Sequence, residues 1–549
     1  MSQSDNDKIR MIREILAGHK DHWQNQEPQM RQLRQIYLTR FYDDKSISDT
    51  SVRVETSDAY AFIESYIASL FEKSPSVEVD SMTTTSEDVE ITRASVNGWL
   101  SDNRKALENG SRLALIFPMS FFKISPRVSQ DPLARVSIRA IEPWNIILDR
   151  DADLWEEQRF VGHHYYMTLA EARRIHGAKK YSPVSKPQYF EDGKTTEGSY
   201  NSLPDSMKYI EVVEFYDLEE DMLYIFSPNI KTTGGFLDKS KIPLRTYDDQ
   251  PLVPIAPLYY SRQPDRPMDG YSTLSRVYDQ LFEKNIMRTF WANAVRRDSR
   301  QYLYREGTID EESLAKISSG QDGAMIPVDE QSLDGIIRTV PVEPMSSNFE
   351  RYLQAIESDI NRGSIISPNV RGEATRATAT EITALAQYTA SEIGRMARER
   401  DEAIEDIANI FVRMLVYTLD EMDKPVIMVG KKARFVTPDA LDHKYKYFAL
   451  DQASTPLSKE LKKRQLLELL PVLGQLGVPQ AKLLEDIVRQ FELNEKYIEE
   501  AKKAQDILEQ GSASRAASAE AIAPEPTTDA QGLANELLQG QRSIPLPMA

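Results

Sequence analysis

The chain has 549 residues, 41% of them hydrophobic and 28% charged, enough for three or four structural units at roughly 150 residues each. Its 67 Lys and Arg face 85 Asp and Glu, a net charge of −18, which argues against a domain whose main work is gripping nucleic acid, since such domains carry a basic patch. With no cysteine, a disulfide frame, a thiolate zinc site and a cysteine nucleophile are excluded.

No apolar run approaches the roughly 18 residues that a membrane span needs. The opening MSQSDNDKIR lacks the basic and apolar regions of a signal peptide. The expectation is a soluble chain, intracellular at synthesis, with no membrane partner.

In chain order, residues 7–42 read as helix, with Ile9, Ile12, Ile15, Leu16, Leu33, Ile36, Tyr37 and Phe41 on its apolar side. A second helix covers Ala59 to Phe71 and a third about 86–116. Strands follow at Ser120 to Pro126 and Arg135 to Ile141. Thr168 with Glu171 forms a capping box opening a short helix that Gly177 closes. Residues 178–207, rich in Ser, Pro, Gly and Lys, read as a surface loop. Strands resume at Ile210 to Tyr216 and Met222 to Phe226, so the first half is a mixed α/β body.

From Thr273 to about Arg300 the pattern predicts one helix of about 28 residues, hence about 40 Å. A compact insert follows, with strands at Gln301 to Arg305, Ala324 to Val328 and Ile336 to Val342 around a short helix capped by Thr308 and Glu311. A second helix runs from Ser347 to Arg362. Two helices flanking a small insert should pack together as a stalk with a tip. Thr378 and Glu381 then cap a very long helix reaching about Met422. Val426 to Phe448 reads as returning strands, residues 456 to about 508 as helical, and the Ala-, Ser- and Pro-rich remainder as disordered.

Enzyme signatures are missing: no phosphate loop, no HExxH and no dinucleotide fingerprint. His163 and His164 are adjacent in a strand, face opposite sides and cannot share a metal. Asp149, Asp151 and Asp153 alternate like the start of a calcium loop, but Leu154 and Phe160 stand where that loop needs glycine and glutamate. A turn is the stronger reading, and the three aspartates remain weak metal candidates. Arg296, Arg297 and Arg300 cluster where the first stalk helix meets the insert. They suit an acidic partner or a phosphate, or equally a solvated face. Arg371 and Arg376, with Asn369 and Thr378, occupy the loop before the long helix, where they can touch a phosphate backbone or simply connect two elements.

Four stretches together resemble the portal protein (head-to-tail connector) of tailed bacteriophages, those of short-tailed phages in particular. They are AIEPWNIILDRDADLWEEQRFVGHHYYMTLAEARRIHG at 140–177, Asp269-Gly270-Tyr271-Ser272 leading into the stalk, the insert carrying SSGQDGAMIPVDE, and VRGEATRATATEITALAQ at 370–387. The resemblance implies an α+β, mainly helical subunit in a ring of about twelve. Residues 1–268 and 365–450 would be the wing, 269–300 and 347–364 the stem, 301–346 the clip, 451–510 a crown and 511–549 a disordered tail. It also implies a DNA channel at one capsid vertex of the virion, assembled in the host cytoplasm, without enzymatic activity or cofactor. The implied partners are the chain itself, the large terminase subunit, a tail adaptor, the major capsid protein and double-stranded DNA. Asn369, Arg371, Arg376 and Thr378 would then be tunnel-loop candidates, and Arg296, Arg297, Arg300, Arg305 and Arg338 clip docking candidates. The rival readings are a metal-dependent DNA-processing enzyme built on the aspartates, or another oligomeric virion protein.

Overall fold

Apolar residues at helical spacing do fold as α1 (Gln3–Tyr37), which runs unbroken through Pro28 and ends before Phe41. In the computed structural model of the chain the described residues are 3–41, 53–81, 83–177, 208–228, 236–266, 268–298, 302–304, 310–313, 315, 337–339, 347–364, 379–420, 423, 425–429 and 432–450. The chain divides into two units, Met1–Thr455 and Pro456–Ala549, and every described residue belongs to the first. The readings for 178–207, the crown and the tail therefore lie outside the described residues.

The expected helix over 86–116 is two, α3 (Ser86–Asp102) and α4 (Arg104–Ile116), after α2 (Asp58–Leu70). Asn103 makes the break: both its amide and its side-chain Nδ2 (2.8 Å) turn back onto the Trp99 carbonyl. A side chain that bonds its own backbone competes with helix continuation in this way.

Two antiparallel sheets form the mixed body. In one, β2 (Ser120–Pro126) lies between β3 (Val136–Ile141) and β9 (Ile255–Leu258). The other has the order β4 (Ile146–Leu148), β5 (Phe160–Thr168), β6 (Tyr209–Asp217), β7 (Met222–Phe226) and β8 (Asp238–Lys241). Ile12 and Leu16 of α1 pack on Val213, Phe215, Tyr224 and Phe226 of that sheet. Thr168 accepts from the Glu171 amide at 3.2 Å to open α5 (Leu169–His176), and Gly177, at φ 79°, closes it.

The long helix, α8 (Ala379–Thr418), has 40 residues and so spans about 60 Å. Its buried stripe (Ile393, Met396, Ile404, Ile407, Phe411 and Leu415) enters the main core, where Phe411 stacks on Trp99 at 4.3 Å. It stops four residues short of the expected Met422 because Arg135 donates to the Thr418 carbonyl at 3.2 Å while its guanidinium also clasps Asp423. The return comprises a hairpin, β12 (Val426–Val429) with β13 (Lys432–Phe435), a short α9 (Pro438–Leu441), and β14 (Lys446–Ala449). Strand β14 pairs antiparallel with β1 (Val77–Asp80), Val77 opposite Ala449.

The result is a mixed α/β chain in which helices predominate, an α+β arrangement. Among the described residues no helix is long and apolar enough to cross a membrane.

Candidate functional site

The first stalk helix starts later than its sequence pattern suggests. Asp269 to Ser272 run antiparallel beside Ser261 to Gln263, with the Gln263 amide on the Asp269 carbonyl at 3.0 Å and the Tyr271 amide on the Ser261 carbonyl at 2.8 Å. Leu274–Val277 is a 3-10 turn, and only Tyr278–Asp298 is α6, 21 residues or about 31 Å. The segment before the helix is fixed from below. Ser272 Oγ donates to the Ile116 carbonyl at 2.7 Å and accepts from the Ser275 amide at 3.1 Å. A Cβ on Gly270 would fall 1.8 Å from the Pro118 carbonyl oxygen, so no side chain fits there.

Helix α7 (Ser347–Ser364) runs back along α6. Three contacts set an antiparallel register: Gly363 against Val277, Lys284 with Glu357 at 3.3 Å, and the Trp291 and Phe349 rings at 6.1 Å. Between the helices, β10 (Tyr302–Tyr304) and β11 (Ile337–Thr339) pair antiparallel. The base of α6 is tied to the mixed body by Lys284 on Asp58 (2.9 Å), by the Thr56 amide on Asn285 Oδ1 (3.0 Å) and by the Val54 amide on Thr289 Oγ1 (2.9 Å). Part of one face of the stalk is exposed. Along one side of α6 Phe282 packs on Phe41 at 4.7 Å, whereas Ile286 and Phe290, the next two positions at a spacing of four, are 41% and 58% exposed, and Val295 is also exposed.

Of the docking candidates, Arg296 and Arg297 lie in the last turn of α6 and Arg338 in the middle of β11 opposite Leu303. The topology thus brings those three toward the same end of the stalk. Arg300 and Arg305 lie outside the described residues, as do Asn369, Arg371, Arg376 and Thr378, which fall between α7 and α8.

The aspartate turn is a clamp. Asp149 is buried, and its carboxylate receives the Asp151 amide (3.2 Å) and the Arg159 guanidinium, whose Nη2 also reaches Asp151 at 3.2 Å. Arg159 holds the Asp149 carboxyl below the usual carboxylate range. A guanidinium already sits where a cation would, and Asp153 is exposed. Among the described residues no group of three or more metal-ligating side chains is arranged to hold an ion, so the aspartates give no support to a metal-dependent cleavage site.

His163 and His164 do face opposite ways. His163 Nδ1 lies 2.9 Å from Lys123 Nζ, which also bonds Glu214 at 2.6 Å. His164 Nε2 lies 2.8 Å from Glu211 Oε1, which Lys20 of α1 also binds. Burial opposes the Glu211 charge, but hydrogen bonds from His164 and Lys20 outweigh it and bring its pKa to about 2. Burial also holds His163 neutral, with the Lys123 charge adding to the effect. Both histidines are therefore structural.

No family model matches the chain, and no curated protein matches it in sequence.

One feature has no signature in the sequence: Trp23 of α1 and Trp144, in the turn before β4, meet edge-to-face at 6.3 Å beside a cavity. They are separated by about 120 residues, and neither local pattern hints at the other.

Proposed function

We propose that the chain is a portal protein subunit: a ring of about twelve copies forming the genome channel at one capsid vertex, without enzymatic activity of its own. The observation that carries this reading is the antiparallel stalk of α6 and α7, joined through a β pair and bearing the exposed Ile286, Phe290 and Val295 of α6. A monomer gains nothing by leaving such a stripe in water. Burying a large apolar side chain is worth about 1.5–3 kcal/mol, so the stripe suits side-by-side packing of stalks. A closed ring uses a heterologous interface of this kind.

In this reading residues 1–268 and 365–450 form the wing, the stalk is the stem, and residues 301–346 form the clip. The clip docks the large terminase subunit and later the tail adaptor, with Arg296, Arg297, Arg300, Arg305 and Arg338 as docking residues. Residues 451–510 form the crown, and the major capsid protein surrounds the ring. The excess of acidic residues suits a conduit, because each Lys–phosphate contact broken at low salt would slow passing DNA. The virion is the expected location, with assembly in the host cytoplasm.

Native mass spectrometry of the purified chain tests the proposal. Twelve copies of 62.6 kDa predict about 750 kDa, with neighbouring ring sizes admissible. A species that stays monomeric or dimeric when concentrated overturns it.

A further inference from the structure

The hairpin of β12 and β13 is apolar on both faces. Ile427 and Val429 pack against the main core beside α3, and Arg434, on the same face, reaches Glu87 of α3 at 2.9 Å. On the outer face Val426 stands opposite Phe435, and Met428 opposite Ala433. Val426, Met428 and Phe435 are 53%, 62% and 59% exposed. A strand that reads VIMV, with no polar residue, has the composition of one covered on both sides. A two-stranded hairpin is also marginal in water by itself, so its outer face calls for a cover.

Charge selects that cover. Residues 424–435, KPVIMVGKKARF, carry four cations and no acid. Lys432, exposed at the start of β13, has no carboxylate partner among the described residues. A complementary surface lies elsewhere on the chain. Glu402 and Asp406 stand four apart on α8, a like-charge spacing that disfavours a helix. Glu156, exposed in the turn before β5, adds to them: desolvation first, then the charges of Glu156, Glu405 and Glu402, push the Asp406 carboxyl up to about 7. Glu405 accepts from the Ala449 amide at 2.9 Å, but Glu156, Glu402 and Asp406 pair with no cation among the described residues. Leu154, two residues before Glu156, is 48% exposed.

An uncompensated acidic patch beside an exposed leucine matches a hairpin that is apolar and basic. The two surfaces do not meet within one chain. The outer face of the hairpin is open, and Thr418, which precedes it, already lies about 18 Å along α8 from Asp406. Two different patches joined between copies make a head-to-tail contact, the kind a closed ring requires.

We infer that the outer face of the β12–β13 hairpin docks on a second copy of this chain, with Val426, Met428 and Phe435 covering Leu154, and Lys432 meeting Glu156, Glu402 and Asp406. The inference rests on the self-association in the portal reading and adds to it a contact outside the stalk.

Because the chain has no cysteine, Met428→Cys gives the full chain a single attachment point for a benzophenone maleimide. The labelled chain is assembled with isotopically heavy, unlabelled chain, irradiated and mapped by peptide mass spectrometry. Light-to-heavy products at residues 154–157 or 402–406 are expected. Products confined to other surfaces of the heavy chain, or to residues 456–549 of the labelled chain itself, overturn the docking. Met428→Ser with Phe435→Ser should weaken association about tenfold or more with the circular dichroism unchanged. Lys432→Glu should weaken it about threefold, the reach of one exposed ion pair. Joined with Glu402→Lys in one chain, it should cost less than the two changes summed, and strict additivity overturns the pairing. Native mass separates the two failures. A ring without the light-to-heavy product overturns this contact and leaves the portal reading standing. An open filament that yields the product supports the contact and overturns the closed ring. A chain that stays monomeric when concentrated overturns both.

Discussion

His19 is the side chain through which solution pH should reach the fold of the mixed body. Burial, which outweighs its bond to the Trp144 carbonyl, lowers its pKa to about 4, and Arg150 adds to the effect. An unfolded histidine takes its proton near 6.5, so between those values the unfolded chain binds a proton that the folded chain refuses. The stability that such a buried neutral histidine adds is therefore complete above about pH 6.5 and falls as pH drops toward 4, while Asp406, whose carboxyl burial raises to about 7, works in the opposite direction over the same range. His19 contributes about 2 kcal/mol of that loss at pH 5, and His163, also held neutral, adds in the same direction. The lowered Glu211 and Glu214 lose their contribution only below about pH 4.5, outside this window. Denaturant titrations at pH 7.5 and 5 isolate the histidine by comparison: His19→Gln, which can still donate to the Trp144 carbonyl, should raise the stability at pH 5 relative to that at pH 7.5 by about 2 kcal/mol over the unaltered chain, and no such difference would remove His19 from the account.

For the elements, the stalk carries the sharpest expectation. Replacing both Ile286 and Phe290 with Glu places two charges on the exposed stripe of α6 without touching its contacts with α7. The lost burial alone, about 3 kcal/mol or more per interface, weakens association more than a hundredfold. The native mass should collapse while the circular dichroism stays as it was; a ring that survives would assign the stripe some other partner. The same elements show what the sequence makes legible. Helices α6, α7 and α8 are readable because apolar residues repeat every three or four positions over many turns, and α7 starts at the expected Ser347 and ends at Ser364, two residues beyond the expected Arg362. What ends or breaks a helix is less readable, because the Arg135 clasp on Thr418 comes from about 280 residues away. The strands β1, β8 and β14 have four residues each, too few for an alternation to stand out. The aspartate turn is recognisable as a turn, but Arg159 as its cation is not, since an arginine ten residues on has many possible partners. The cavity beside Trp23 is invisible for the same reason: its walls meet only in three dimensions.

On the scale of the assembled particle, the portal reading makes the segment between α7 and α8 a tunnel loop, and the expected phenotype follows from it. If Arg371 and Arg376 brush passing phosphates, changing both to Glu turns weak attraction into repulsion. DNA packaging or retention should fall while the ring keeps its mass, because neither residue belongs to the stalk. Packaging at the unaltered rate would remove the pair from the mechanism. Weak contacts are the useful ones here, since strong cation–phosphate pairs release many counterions and hold DNA in place.

The pairing of Val77 with Ala449 also sets a clock. Roughly 370 residues separate the two strands, and a ribosome adds about 5–20 residues per second, so β1 waits some 20–75 s for the strand that covers its edge. In that interval the stalk, encoded between them, has already emerged with its apolar stripe uncovered. A nascent chain thus displays its sticky helix before its own sheet is closed. Neighbouring chains on one message are then the first copies it can meet, and chaperones that shield exposed apolar helices are its natural escorts.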